Sequence, residues 1–556
     1  MAEPLPDTKV ERHRNLLAIG IIAAVWILMV AITNPSGEFP LNDDWCYALS
    51  VRSLVEDGTF TMVSMVTMTL FTQVLWGALF CLPFGFSYTA LRASTLVAGL
   101  GGLIGTYLLL RELGAGRRVA VICTLVVAVN PIYFSLSNTF MTDVPFYTLS
   151  VLSVYAFARA LRRRSTYGYV AGTAIACLAA LIRQSGLVLP IAFGVACLFA
   201  HGARVRGVVR ACIPAVAVGG VLLAYQQWLS ASGGLPEFYG VQVKNSTRFF
   251  THGLDSVHAA YVVGLTACVY LGLFLFPLLV YRFVAARKNI WWIAGTAGLA
   301  YVISILIRPI GWRQGMPMSL HLGDIITPFG IGPFLLSDVV YLRIPSPGLL
   351  PSAFWSAVTM GSALGAALLL VLLFQSLLAL RRESGSQDVD RPLFALMISG
   401  AALSLAPIMM LYFYVYYDRY FLAMIPFVMG MILLSDRAEI RPKRAMTAAV
   451  VTVLVIGGIL SVGMTHDYLA WNRARWAALD DLMAQGVRPS DIDGGYEFNG
   501  LYDYESRYAD GWWRPIQEEY AITFGPIAGY DTVRVYPYRT WIPPREAGIH
   551  VMESWE

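Results

Sequence analysis

The sequence predicts an all-α polytopic membrane protein of about 13 transmembrane helices, with a small C-terminal extracytoplasmic α+β segment. Of the 556 residues, 57% are hydrophobic and only 13% are charged, whereas soluble domains are about 25% charged. The apolar residues also fall in long blocks, which are typical of membrane-spanning helices. This composition excludes an ordinary cytosolic enzyme, a disordered protein and a protein that reads nucleic acid.

The net charge of +5 conceals an asymmetry along the chain. Residues 465–556 contain fifteen acidic and eight basic side chains, whereas the rest of the chain contains twenty and thirty-two. Seventeen aromatic residues also lie in 465–556. We therefore divide the chain into a cytoplasmic N-terminus, a membrane domain with two notable outer loops, and an acidic extracytoplasmic tail: 1–14, 15–464 with loops 34–87 and 137–143, and 465–556.

Thirteen apolar blocks account for the membrane domain. The first, residues 15–33, would reach roughly 28 Å as a helix, which is enough to cross the hydrocarbon core. It is long for the core of a signal peptide and no A-x-A site follows it, so we interpret it as an uncleaved span. The other blocks lie at 88–110, 119–136, 144–161, 167–182, 186–200, 208–230, 258–281, 290–307, 352–380, 393–415, 419–435 and 446–464.

One further apolar stretch, residues 66–84, decides the topology, because a span there would invert every later loop. If this stretch lies in the interface, twenty-three Lys and Arg residues fall in cytoplasmic segments and eight in outer loops. The positive-inside rule favours that arrangement. We expect a multi-pass protein of a bacterial inner (plasma) membrane, with a cytoplasmic N-terminus and an extracytoplasmic C-terminus.

Two outer loops then carry carboxylates at the ends of helices, where a charge is costly unless it has a partner or water. Asp43 and Asp44 precede an amphipathic surface helix predicted at 45–60, and Asp143 opens a later span. Helix capping would explain Asp143 and one member of the pair. A catalytic role is the other interpretation, because acids in clefts are frequent functional groups. The residue types alone leave both interpretations open.

These loops resemble the motifs of the GT-C type polytopic glycosyltransferases, which use sugars linked to a lipid phosphate. The resemblance is strongest toward the protein O-mannosyltransferases and the lipid A aminoarabinose transferases, with their bacterial relatives. It rests on the order, spacing and sidedness of these segments: Asp43-Asp44-Trp45-Cys46-Tyr47-Ala48, Leu54 with Gly58-Thr59-Phe60, Asn138–Phe146, and Asp418-Arg419-Tyr420 with Pro426.

The resemblance implies roles for individual residues. Asp43 takes the position of the general base, and Asp143 that of the second-loop acid, which helps to hold the acceptor or the base. Asp44 and Tyr47 belong to the first-loop motif, and with Arg52 they are expected to bind substrate. Close relatives place a Lys-Pro-Pro segment after the surface helix, and its lysine meets the lipid phosphate. Residues 69–73 contain no lysine, so the resemblance leaves the donor sugar open.

Another cation must then hold the phosphate, and the candidates on the outer side are arginines. Arginine matches phosphate geometry with two parallel hydrogen bonds. Snorkelling to the interface is the alternative explanation for an arginine near the end of a span. The candidates are Arg183, Arg308, Arg313 and Arg419, the last with its neighbour Tyr420.

We therefore expect an inverting glycosyltransferase that moves a sugar from a polyprenyl-phosphate-linked donor to a lipid, glycan or protein acceptor on the outer face. One carboxylate would act as general base, without a covalent intermediate. A lipid or sugar transporter or flippase, a non-catalytic scaffold and a metal-dependent oligosaccharyltransferase-like enzyme are the alternatives. His321 with Asp324 is too sparse for a metal site, so we expect no metal, no cofactor and no nucleic-acid partner.

Overall fold

The computed structural model describes residues 9–286, 290–307, 324–344, 350–382, 390–434, 444–509 and 517–555. In these residues the chain is mainly helical, and its longer strands lie in the C-terminal segment. The predicted class, a helical membrane protein with a small C-terminal sheet, is confirmed.

The described helices are long in the membrane domain and shorter in the loops. Those of the first half are α1 (Lys9–Thr33), α2 (Asp44–Glu56), α3 (Phe71–Cys81), α4 (Tyr88–Glu112), α5 (Arg117–Ala128), α6 (Pro131–Ser137), α7 (Asp143–Arg163), α8 (Thr166–Ala180), α9 (Val188–His201), α10 (Val205–Ala231) and α11 (Glu237–Thr247). Those of the second half are α12 (Leu254–Phe274), α13 (Phe276–Ala286), α14 (Ile290–Ile307), α15 (Ser337–Val340), α16 (Ser352–Arg382), α17 (Arg391–Met410), α18 (Ile425–Leu434), α19 (Arg444–Ala484) and α20 (Tyr496–Ala509). Short 3-10 turns lie at Gln184–Leu187, Arg248–Phe250, Leu411–Phe413, Asp418–Met424 and Pro489–Asp491.

Nine helices in the described part of the chain are long and apolar enough to cross a membrane, or ten if α5 and α6 form one broken span. The pair α5 and α6 is bent by 65°. The bend has a local cause: Pro131 lacks an N–H, and Asn130 Oδ1 accepts hydrogen bonds from the N–H groups of Ile132 and Tyr133. The predicted block 119–136 is therefore two helices, because hydropathy continues across a residue that ends one helix and caps the next.

Other predicted blocks are also shorter than a full span. The block 167–182 forms α8, which has 15 residues, and the block 419–435 forms a 3-10 turn followed by the 10 residues of α18. The total of thirteen spans thus stays a prediction. The ambiguous stretch 66–84 contains α3, whose 11 residues reach only about 17 Å and do not cross a bilayer.

Ion pairs join several helix ends at one end of the bundle. The Glu11 carboxylate in α1 lies 2.8 Å from Arg111 at the end of α4 and 2.8 Å from Arg117 at the start of α5. The Glu112 carboxylate lies 2.9 Å from Arg163 at the end of α7. Three of the basic segments that the charge pattern predicts to be cytoplasmic therefore meet at one end of the bundle, and the predicted outer loops lie at the other.

The C-terminal segment is built on the last long helix. The 41 residues of α19 pass through the predicted domain boundary at 464/465 without a break. A small hairpin, β1 (Ile326–Thr327) and β2 (Gly330–Ile331), lies beside it. The main sheet has the order β3-β4-β6-β5, and only β3 and β4 pair in parallel: β3 (Ile492–Asp493), β4 (Tyr520–Thr523), β5 (Tyr530–Trp541) and β6 (Pro544–Ser554).

The sheet packs directly on α19. Leu469, Trp471 and Leu479 of α19 form one buried core with Ile522 and Val551 of the sheet. The Asp467 carboxylate also accepts hydrogen bonds from the backbone N–H groups of Trp541 and Ile542, at 2.7 and 2.9 Å. This core is separate from the larger one inside the helical bundle, and the site described next lies where the two meet.

Candidate active site

Asp43 immediately precedes α2, and its side chain faces a cavity instead of capping the helix. Its side chain makes no hydrogen bond to the N-terminus of α2. Its Oδ2 accepts a hydrogen bond from Arg419 Nη2 at 2.8 Å, and its Oδ1 accepts one from the Tyr496 hydroxyl at 2.7 Å. The side chain is 19% exposed, so a small group in the cavity can reach the carboxylate. The capping interpretation is therefore wrong for Asp43.

Asp44 points the other way, into the protein. Its Oδ1 accepts a hydrogen bond from Leu41 N at 2.5 Å, and its Oδ2 accepts one from Phe140 N at 3.0 Å. Burial raises the pKa of this carboxyl to about 7. The sequence predicts a substrate contact for Asp44, whereas the structure places the carboxylate beneath the cavity, where it ties the first outer loop to the second.

Asp143 lies at the start of α7, between two arginines. Its Oδ1 is 2.9 Å from Arg183 Nη2, and its Oδ2 is 4.0 Å from Arg419 Nε. The side chain of Asp143 is only 1% exposed. The carboxylate thus lies behind the two guanidinium groups, where it offsets their charge and fixes their orientation, and not on the surface of the cavity.

Arg419 is held by a hydrogen-bonded turn. The Asp418 carboxylate accepts hydrogen bonds from the backbone N–H groups of Ile325 and Ile326, and Asp324 Oδ1 accepts one from Asp418 N. Burial raises the pKa of the Asp418 carboxyl above its usual range. Among the described residues Arg419 Nη1 is buried and has no hydrogen-bond partner. This N–H group is therefore an unused donor on a residue that lines the outer cavity.

Aromatic rings surround both arginines. The Arg419 guanidinium carbon lies 4.2 Å from the ring centre of Tyr417 and 5.8 Å from that of Tyr420. The guanidinium carbon of Arg183 lies 5.4 Å from the Tyr420 ring centre, and Arg183 Nε donates a hydrogen bond to Thr142 Oγ1 at 2.8 Å. Tyr420 therefore stands between the two cations and stabilises each by a cation–π interaction.

Two cavities adjoin at Tyr420. The first, the outer cavity, has a volume of about 610 Å³ and is lined by Asp43, Arg419 and several tyrosines. The second, the apolar cavity, has a volume of about 490 Å³, is lined mostly by apolar side chains of the bundle, and has Arg183 in its wall. Residues that line both cavities are Thr67, Met68, Gln242, Leu411 and Tyr420.

The remaining predicted site residues have different positions. Tyr47 is buried, lines the outer cavity and donates a hydrogen bond to Met68 Sδ at 3.4 Å. Arg52 lies on the outward face of α2, where it pairs with Glu56 at 2.9 Å and borders a separate surface groove; this placement does not favour its predicted substrate contact in the outer cavity. Arg308 and Arg313 lie outside the described residues.

The predictions omitted the tyrosines that complete the outer cavity. Tyr417 directly precedes the Asp-Arg-Tyr motif, so its position beside that motif could have indicated a role in the site. Tyr496 and Tyr504 come from α20 in the tail, where the sequence shows only a general abundance of aromatic residues.

As for metals, the described residues contain no group of three His, Cys, Asp or Glu side chains that could hold an ion, and His321 lies outside them.

Comparison with known proteins gives a family match over part of the chain. Residues 60–229 match the family described as dolichyl-phosphate-mannose-protein mannosyltransferase. This segment includes Asp143 and Arg183 and begins after Asp43. The match confirms the resemblance to polytopic glycosyltransferases that the loop motifs indicate. The search of curated proteins found no significant match.

Three solved structures, of two different proteins, are similar to the chain at low sequence identity. The S. cerevisiae protein O-mannosyltransferase Pmt1–Pmt2 complex bound to the sugar donor is 17% identical over 40% of this chain and 34% of that chain, with a TM-score of 0.32. This chain therefore spans about a third of the yeast chain. ArnT from Cupriavidus metallidurans in the apo state is 14% identical over 98% of both chains, with a TM-score of 0.37. Its complex with undecaprenyl phosphate gives 14% identity over 96% of this chain and 97% of that chain, with a TM-score of 0.35.

Proposed function

We propose that the chain is a membrane glycosyltransferase that moves a sugar from a polyprenyl-phosphate-linked donor to an acceptor hydroxyl on the outer face of the membrane. The observation that carries this proposal is the position of Asp43: its carboxylate lines a cavity beside Arg419, and that cavity adjoins an apolar one. The description of the matching family names dolichyl-phosphate-mannose, which is a donor of the same chemistry.

The two cavities fit the two chemically different parts of such a donor. The apolar cavity would take the first isoprene units of the lipid, because apolar chains gain free energy on leaving water. The phosphate would lie near Tyr420, within reach of Arg183 and Arg419, since guanidinium groups bind phosphate oxygens with paired hydrogen bonds. The sugar would then extend into the outer cavity, among tyrosine rings and beside Asp43.

The reaction that this arrangement supports is a single displacement. The acceptor oxygen bonds to the anomeric carbon as the bond from that carbon to the phosphate oxygen breaks, and the configuration at the carbon inverts. The Asp43 carboxylate takes the proton of the acceptor hydroxyl, as a general base within hydrogen-bond reach. The bonding electrons leave with the polyprenyl phosphate, whose growing charge is stabilised by the fixed arginines.

Asp143 would support this reaction without contacting the substrate. Its carboxylate lies 2.9 Å from Arg183 and 4.0 Å from Arg419, so it holds both cations at the boundary between the cavities. The resemblance predicts that Asp143 helps to hold the acceptor or the base; in this proposal it positions the two arginines. Asp43 is then the general base, with Arg183 and Arg419 as the phosphate ligands.

The charge distribution supports an outer-face reaction. The Glu11 and Glu112 ion pairs gather basic helix ends at the end of the bundle away from Asp43, and basic ends face the cytoplasm. The N-terminus would then be cytoplasmic, and the tail and active site extracytoplasmic, in a multi-pass protein of a bacterial inner membrane. The acceptor would be a lipid, glycan or protein exposed on that side.

The test is to incubate the purified protein with a panel of polyprenyl-phosphate sugars and to measure release of the lipid phosphate. The wild-type protein should release it from at least one donor, and Asp43→Asn should lose roughly 100- to 10,000-fold in kcat while remaining folded. Asp57→Asn, which removes an exposed carboxylate from the same loop, is the matched control.

The same experiment separates the alternatives. A transporter or flippase would move the donor between the two leaflets of a vesicle and leave the sugar–phosphate bond intact. A scaffold would be indifferent to Asp43→Asn. If folded protein releases lipid phosphate from none of the donors, with acceptor extracts present, the transferase proposal is wrong.

A further inference from the structure

The tail reaches the proposed general base directly. Tyr496, the first residue of α20, donates its hydroxyl hydrogen to Asp43 Oδ1 at 2.7 Å. Arg419 occupies the other carboxylate oxygen at 2.8 Å. Two donors from distant parts of the chain therefore fix the orientation of one carboxylate. We propose that the C-terminal segment is part of the catalytic unit and that Tyr496 is a positioning residue for Asp43; this inference rests on the proposed function.

The next residue of α20 binds the backbone beside Asp43. Glu497 Oε1 accepts a hydrogen bond from Asn42 N at 2.9 Å. Asn42 has a φ of +57°, a left-handed conformation that costs free energy in most residues and needs support from its surroundings. Consecutive residues of the tail thus hold the backbone of Asn42 and the side chain of Asp43.

Glu497 is itself fixed by an ion pair inside the tail. Its Oε2 lies 2.8 Å from Arg475 Nη1, and both side chains are 0% exposed. Arg475 belongs to α19, and its Nε donates a second hydrogen bond to Gly494 O at 2.8 Å. Because the partners are buried and oriented by further hydrogen bonds, the start of α20 has little freedom to shift.

A second contact holds α20 against α2. A Cβ atom at Gly500 would lie 2.5 Å from the buried Trp45 side chain, so the two helices meet where only a glycine fits. The Trp45 and Tyr504 rings lie 5.6 Å apart, and the Tyr504 hydroxyl is 2.9 Å from Ser64 Oγ. The tail therefore binds the first outer loop on both sides of the surface helix, which is a larger contact than a loosely attached appendage would make.

The chemistry of Tyr496 suits a fixed donor. Burial, with the nearby charge of Asp43, raises the pKa of the Tyr496 hydroxyl well above its usual range, so the hydroxyl stays protonated and donates. A phenylalanine in its place would leave the ring packing intact and free Asp43 Oδ1 to rotate away from the acceptor. The expected result is a lower kcat with little change in the KM for the donor, whose lipid and phosphate lie elsewhere.

The experiment compares Tyr496→Phe with Tyr520→Phe in the full-length protein. The control also removes a tyrosine hydroxyl that donates to a carboxylate in the tail, Glu553, at 2.8 Å, but Tyr520 lies in β4 and does not line the outer cavity. We expect Tyr496→Phe to lower kcat by roughly 10- to 100-fold, the effect of one hydrogen bond to a charged group. Donor KM should change less than about threefold, and Tyr520→Phe should match the wild type in both constants.

Each outcome decides the inference. It is supported if kcat falls selectively in Tyr496→Phe while the melting temperatures of both variants stay close to the wild type. It is overturned if Tyr496→Phe keeps the wild-type kcat, or if kcat and donor KM change together in both variants. If Asp43→Asn is as active as the wild type, the proposed function itself fails; if Asp43→Asn is inactive and Tyr496→Phe is fully active, only this inference fails.

Discussion

Asp43 and Asp143 share one guanidinium group, that of Arg419, although they lie in different outer loops. Arg419 Nη2 is 2.8 Å from Asp43 Oδ2, and Arg419 Nε is 4.0 Å from Asp143 Oδ2. Two carboxylates this near one another would repel without a cation between them. The arginine therefore holds the two loops together as well as serving the proposed reaction.

Removing that guanidinium should affect stability and activity together. In Arg419→Gln the buried Asp143 loses one of its two cationic neighbours, and Asp43 loses the one arginine that pairs with it among the described residues. We therefore expect the free energy of unfolding to fall by about 3 kcal/mol. The measurement is thermal unfolding in detergent. Arg52→Gln, which breaks the exposed pair with Glu56, should cost less than about 1 kcal/mol. Equal effects of the two variants would contradict the central role of Arg419.

Arg183 should govern the affinity for the donor. In Arg183→Gln the proposed phosphate loses a charged donor, so we expect the KM for the polyprenyl-phosphate sugar to rise roughly 10- to 100-fold. The matched control is Arg210→Gln, because Arg210 lies over the Tyr169 ring at 5.5 Å, much as Arg183 lies over Tyr420 at 5.4 Å. The prediction fails if the steady-state kinetics of both variants resemble the wild type.

The contact between α20 and α2 predicts a large effect of a small substitution. Gly500→Ala places a Cβ atom 2.5 Å from the buried Trp45, and relieving that overlap should cost about 1–3 kcal/mol of stability. In Gly219→Ala, where no described atom lies within 4 Å of the new Cβ, the helix should be unchanged or slightly stabilised. Thermal unfolding of the two variants checks this, and a wild-type melting temperature in Gly500→Ala would show that the helices can separate freely.

Asp338 should make stability depend on pH. Burial raises the pKa of its carboxyl from 3.8 to about 7, so the folded state binds a proton more tightly than the unfolded state. The stabilisation from that proton is complete below about pH 4 and is lost as the pH rises toward 7. The Asp338 carboxylate accepts hydrogen bonds from the backbone N–H groups of Phe524 and Val339, and the like charge of Asp493 lies nearby.

The measurement is the melting temperature between pH 4 and 8. In Asp338→Asn the melting temperature should decline less steeply with rising pH, because an amide can accept the Phe524 hydrogen bond without titrating. Asp531→Asn removes an exposed carboxylate from the same segment and should leave the slope unchanged. A slope in Asp338→Asn as steep as in the wild type would contradict the assignment.

The sequence could predict features that depend on neighbouring residues. Long apolar blocks indicate helices, and an acid at the end of a span indicates a polar cavity there. The residue types alone could not predict which acid of the pair Asp43 and Asp44 faces the cavity, because that depends on how the loop folds before α2; only the resemblance pointed to Asp43. Capping at Asn130 likewise divides a block whose hydropathy is continuous.

Contacts between distant segments could not be predicted from the sequence. Arg419 was indicated by its motif, but its bridge to Asp143 depends on the packing of α7 against a 3-10 turn far along the chain. The Tyr496 contact crosses from the tail to the first loop, and the surrounding composition shows only that aromatic residues are abundant. Arg52 illustrates the converse, since its place in a helical pattern did not reveal that it faces away from the cavity.

Because α19 is continuous, it fixes both the height and the rotation of the tail relative to the membrane domain. Its 41 residues measure about 62 Å, roughly twice the hydrocarbon thickness of a bilayer. A helix transmits rotation as well as height, so inserting one alanine between the membrane and Arg475 would turn everything beyond it by about 100° and raise it by about 1.5 Å. We expect Tyr496 to lose its hydrogen bond to Asp43 in such a variant, so the rotational register of this one helix sets whether the tail and the first outer loop meet correctly.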